Sequence, residues 1–170
     1  MKQILLFFIA IMIFSCSKDD SSSISETDMK LVTGINLTNT GANIEMQLGN
    51  PNVLNTPLSV YPNPPSGVVA IESYENMTDI WLVPANAQKI FQTTDFNNIL
   101  NTELYTESEI DSNSNLKFLN LNVTNIQLNL ENVNSGYYKV FVKINGSIYW
   151  DNIYVANNGI QIDNLINFWN

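Results

Sequence analysis

From Leu31 to Val155 the apolar residues of this chain recur at every second position in short runs, and asparagine closes many of the runs. That period sends successive side chains to opposite faces of an extended backbone, so it prescribes half-buried strands and not amphipathic helices. Asparagine is the excess residue, with 27 copies. It enters turns and left-handed conformations readily and is poor in the interiors of helices and strands alike. A chain punctuated in this way is directed toward many short antiparallel strands. The clearest instance is "GYYKVFVKINGSIYWDNIYV", residues 136–155, in which Asn145-Gly146 is a two-residue hairpin turn. Its first strand places Tyr138, Val140, Val142 and Ile144 on one face, the expected core face. Tyr137, Lys139, Phe141 and Lys143 fall on the other. Phe141 among the lysines implies that this second face is not fully solvated.

Other segments extend the pattern. Leu31–Leu37 and Ala42–Leu48 read as two strands joined by Asn39-Thr40-Gly41. "GVVAIES", "TDIWLVP" and "QKIFQ" are three more between Gly67 and Gln92, and "DFNNIL" has the makings of one helical turn. Residues 102–115 show little periodicity and read as an exposed loop, with or without a short helix. "NLKFLNL" and "NIQLNL" restore the alternation, and "GIQIDNLINFW" closes the chain as a strand or a short helix. Roughly nine or ten short strands predict an all-β fold, an antiparallel two-sheet β-sandwich of the Ig-like kind.

Composition narrows the chemistry. Seven lysines, no arginine and sixteen acids leave a net charge of −9, which excludes nucleic acid as a partner, since that affinity needs clustered cations. The chain has no histidine, and so lacks the commonest general base and the commonest transition-metal ligand. No phosphate-cradling glycine loop, paired cysteine motif or nucleophile elbow is present. Glu103/Glu107 and Glu107/Asp111 are spaced four apart, the pairings that suggest glycosidase carboxylates, but they sit in the least periodic segment of the chain. No catalytic residue, cofactor or metal site is expected, and the chain is not expected to be an enzyme.

The front of the chain carries a different signal. Lys2 precedes eleven apolar residues, Ile4–Phe14, then Ser15 and Cys16, the single cysteine. At about 1.5 Å per residue this run is half a bilayer core long, too short to span, and it reads as a secretory signal. The arrangement resembles a bacterial lipobox, which implies cleavage before Cys16 and lipid on its thiol and amine. The following Ser17-Lys18-Asp19-Asp20 is similar to the export signal of Bacteroidetes surface lipoproteins. Residues 1–15 are then a lipoprotein signal peptide, and residues 16–28, serine-rich and acidic, a disordered tether. Together these imply a lipid-anchored protein of the outer membrane, displayed at the cell surface.

A third of the way along stands "VYPNPPSGVV", Val60 to Val69, with three prolines in four positions. Such a segment cannot be a central strand, though it can lead stiffly into one. "YPNPPSGVVAIES" resembles the opening of the type A C-terminal sorting domain of the type IX secretion system. Tyr61, Pro62, Asn63 and Pro64 match its opening motif, and Gly136 and Tyr138 match its closing one. The resemblance covers about residues 60–155. Ala87 replaces a turn glycine, and residues 93–120 form an inserted loop. This divides the mature chain into an N-terminal β-hairpin region, 29–59, and a β-sandwich, 60–170. Trp81, Trp150 and Trp169 are the candidate aromatics for a sugar-stacking platform, with core packing as the alternative. The expected role is non-catalytic: binding, adhesion or structure, with a glycan or protein partner. The alternatives are a glycan-binding accessory lipoprotein and a sorting-domain protein.

Overall fold

The computed structural model describes residues 28–51, 57–89, 104–157 and 162–170. Cys16, Ser17, Lys18, Asp19 and Asp20, the tether up to residue 27 and "DFNNIL" therefore lie outside the described residues. What is described is mostly β, as the alternation requires. The strands are β1 (Leu31–Val32), β2 (Gly34–Thr38), β3 (Ile44–Gly49), β4 (Leu58–Tyr61), β5 (Val68–Ala87), β6 (Leu116–Phe118), β7 (Val123–Asn129), β8 (Gly136–Ile144) and β9 (Ser147–Val155). Two short helices accompany them, α1 (Glu107–Asn113) and α2 (Ile162–Trp169).

The organising element is β5, twenty residues long. "GVVAIES" and "TDIWLVP", read as separate strands, are one. Its first half runs between β4, which pairs Ser59 with Glu72, and β7, which pairs Asn125 with the same Glu72. Its second half is flanked by β6 and β8, with Trp81 opposite Lys117 on one side and Phe141 on the other. Its end pairs with β1 in parallel, Leu31 with Asn86 and Val32 with Ala87, so the expected all-antiparallel pairing has this exception. The register shifts between Glu72 and Met77 against β7, so residues 73–76 carry the strand from one layer into the next. β8 and β9 continue the second layer through the hairpin at Asn145-Gly146, whose φ values of 49° and 82° fit the turn chosen from sequence.

The two layers close on one core. Leu58, Val60, Val69, Ile71 and Leu128 come from the first, and Ile80, Leu82, Val140, Val142 and Ile153 from the second. Each fully buried aliphatic side chain contributes roughly 1.5–3 kcal/mol, so this interface dominates the stabilisation. Tyr138, Val140, Val142 and Ile144 do face it.

The opposite face of the second layer is covered too. At one end the β2–β3 hairpin and α2 lie on it, burying Val32, Ile35, Leu48, Leu165 and Trp169 against Tyr154. At the other end Tyr105 and Ile110 cap Trp81, Phe141 and Trp150. Over their described part, 104–115, residues 102–115 hold the short helix allowed for them, exposed on its outer side and anchored by the buried Tyr105 and Ile110. Thr106 and Glu109 form a reciprocal capping box that starts α1, and Ile110 is its buried anchor. β6, also inside the expected insertion, is a sheet strand.

Leu31–Leu37 breaks at Thr33, whose hydroxyl donates to the Asn50 carbonyl (2.7 Å) and whose carbonyl accepts from the Asn50 amide. A Cβ on the neighbouring Gly34 would stand 2.4 Å from the backbone of Pro51, so only glycine fits that crossing. Gln88 and Lys89 follow β5 without continuing it, and the rest of "QKIFQ" lies outside the described residues.

Candidate functional site

The two layers differ in what they present to solvent. On the outer face of the first layer, period-two alternation aligns Ser59 and Tyr61 of β4, Glu72 and Tyr74 of β5, and Asn125 and Gln127 of β7. A groove of about 340 Å³ runs there, lined by Pro57, Ser59, Glu72, Ser73, Tyr74, Thr124 and Asn125. Glu72 sits centrally and accepts from the Asn125 amide. It also takes a hydrogen bond from Tyr61, which holds that phenol above its ordinary pKa, with burial adding to the effect. Tyr74 is 88% exposed, the most exposed of the large apolar side chains among the described residues. It stands where β5 passes between layers and lacks a cross-strand neighbour in β7.

The covered face of the second layer holds a buried amine. Lys139 is wholly buried, and its Nζ makes no hydrogen bond. The rings of Tyr105 and Trp150 lie 5.5 and 5.8 Å from it. Burial drives the ammonium's pKa down to about 7, opposed by the charge of Asp28, and burial pushes the Tyr105 phenol up. Sequence reading placed Lys139 on a half-solvated face. Phe141 signalled that the face was covered, but not how deeply.

In the proline-rich stretch it is Asn63 that bonds across the fold. Tyr61-Pro62 and Asn63-Pro64 are cis peptides, and Asn63 between them is buried. Its Nδ2 donates to the carbonyls of Asn36 (2.7 Å) and Asn152 (3.1 Å), and its Oδ1 accepts from the Tyr154 amide (3.0 Å). Its backbone exchanges two hydrogen bonds with Thr38. One side chain thereby ties β2 to β9. At the other end of the resemblance, Gly136 opens β8, and the Tyr138 hydroxyl donates to the Asn134 carbonyl (2.9 Å).

The tryptophans form no surface platform. Trp81, Trp150 and Trp169 are 1%, 3% and 7% exposed, the first two under α1 and the third in the α2 cluster. The apolar faces created by covering the second layer take them in. Two carboxylates of α1 are engaged with lysines, Glu107 with Lys143 (2.6 Å) and Asp111 with Lys117 (2.9 Å), and the third, Glu109, with Thr106. Trp81 Nε1 also donates to Asp111, and these two partners, Lys117 first, hold that carboxyl below its ordinary range. Glu103 lies outside the described residues.

No protein-family model matches the chain, and a search of curated proteins finds no match.

Proposed function

We propose that this chain is a non-catalytic binding module, an Ig-like β-sandwich held at the outer membrane by lipid on Cys16 and presented at the cell surface on the tether of residues 16–28. The observation that carries the non-catalytic reading is the state of the groups suited to chemistry. Glu107 and Asp111 are in ion pairs on the surface, and Lys139 is sealed beneath aromatic rings. The Ig-like assignment is supported by the Tyr138-to-Asn134 bond, which resembles the tyrosine corner of such sandwiches. The anchoring rests on "FSCSKDD", and several acyl chains at about 0.8 kcal/mol per buried CH₂ make such attachment stable.

Localisation tests it. Intact cells carrying the wild type or Cys16→Ala are fractionated, and their surfaces are digested with protease. The expected result is a membrane-bound wild type removed by external protease, and a variant released from the membrane. A wild type found soluble in the medium would overturn the anchor and return the resemblance at residues 60–155 to consideration as a working sorting signal.

A further inference from the structure

We infer that the outer face of the first layer, centred on Glu72 between Tyr61 and Tyr74, binds a neutral, hydroxyl-rich glycan. This rests on the reading of the chain as a binding module and names its ligand class. The groove's volume of about 340 Å³ falls at the lower end of small-molecule sites. Its chemistry selects among ligands. No lysine lines it, and the chain's net charge is −9, so phosphate, sulfate or uronate ligands would meet repulsion with nothing to offset it. Its one carboxylate already accepts from Tyr61 and Asn125, which leaves a poor cation site. Hydroxyls of Ser59 and Thr124, the Ser73 hydroxyl, which accepts from the Glu75 amide and keeps its proton to donate, and the side-chain oxygen of Asn125 remain, short donors and acceptors spread over a flat sheet.

A sugar ring needs this combination: in-plane hydroxyls seeking donors and acceptors, and an apolar face seeking a ring. Tyr74 supplies the ring. It holds an amphipathic side chain almost wholly in water, where its apolar area stabilises nothing until a ligand covers it. At about 3.3 Å per residue it stands about 7 Å along β5 from Glu72, within reach of one ligand touching both. The face is also built on paired strands fixed by register, so its polar groups are positioned before a ligand arrives.

The test is native affinity electrophoresis of the full chain, detergent-solubilised, through gels containing starch, xylan, mannan or mixed-linkage β-glucan, with alginate as the anionic comparison. Retardation by at least one neutral polysaccharide and none by alginate is expected. Tyr74→Ala should weaken that retardation by about tenfold, the size of a single well-placed aromatic contact, with an unchanged near-UV spectrum. Ser59→Trp, an exposed position that would fill the groove, should abolish it independently. Mobility unaffected by every neutral polysaccharide would overturn the inference, as would binding that both variants retain. Neither result touches the Cys16 anchor, whose failure shows in localisation and not in gels.

Discussion

At the residue scale the least expected finding is Lys139. Its alternation partners Tyr137, Phe141 and Lys143 suggested a face half in water, yet it is wholly buried with no hydrogen bond to its ammonium. The pKa falls from 10.5 to about 7, driven by burial and opposed by Asp28. Between those two values the unfolded chain binds a proton that the folded chain does not, so this group makes stability rise with pH across the window. Below about pH 7 both states are charged and the full penalty of burial is present. Lys139→Met should therefore stabilise the fold by about 2–4 kcal/mol at pH 6, part of the penalty being offset by lost contact with Tyr105 and Trp150. The gain should shrink steadily toward pH 10. Urea midpoints of both proteins at pH 6 and 9.5 measure it; a gain that is the same at both would show that the amine is solvated in the folded state.

At the element scale, short strands need fastening, and this chain fastens them with asparagine. β2 and β3 pair only with each other among the described residues, and a lone hairpin is marginal in water. Asn63 joins β2 to β9 through three side-chain hydrogen bonds in a buried setting, beside the Asn152 amide of β9 that donates to the Gly34 carbonyl. Asn63→Ala would leave two buried carbonyls and one buried amide without their partner, at a cost of about 3 kcal/mol. Urea unfolding should record that loss. Asn63→Asp should not recover it, since a carboxylate cannot donate to the Asn36 and Asn152 carbonyls. The prolines around Asn63 were legible as a stiff approach to β5. That the asparagine between them bonds across the fold was not, because its partners Asn36, Asn152 and Tyr154 lie 27 to 91 residues away. α1 makes the same point: Thr106 and Glu109 have capping-box spacing, a local signal that the period-two pattern does not register, and what holds the helix in place is Ile110, which closes over Trp81 and Trp150.

At the scale of the whole molecule, β5 belongs to both packed layers, and the second layer is buried on both faces. No layer can unfold while leaving the other's central strand intact. Far-ultraviolet dichroism reports the strands, and tryptophan fluorescence reports the Trp81/Trp150 and Trp169 clusters. The two should give coincident urea transitions. A fluorescence transition at lower urea would show that the covering layer opens separately. The net charge of −9 opposes the approach of anions to the surface, and two of the described lysines, Lys117 and Lys143, are already paired with acids.

The sequence by itself determined the all-β character, the hairpin at Asn145-Gly146 and the inward face of β8. These follow from period-two alternation and turn chemistry, which act between near neighbours. Only the tertiary structure decided which layer of the sheet would be covered twice. Two helices and a hairpin converge on that layer from distant parts of the chain, and their packing hides all three tryptophans and Lys139. The same covering leaves the Tyr61–Glu72–Tyr74 face of the other layer as the open one. Alternation marks two faces on every strand, but which of them meets water depends on long-range packing that no local pattern encodes.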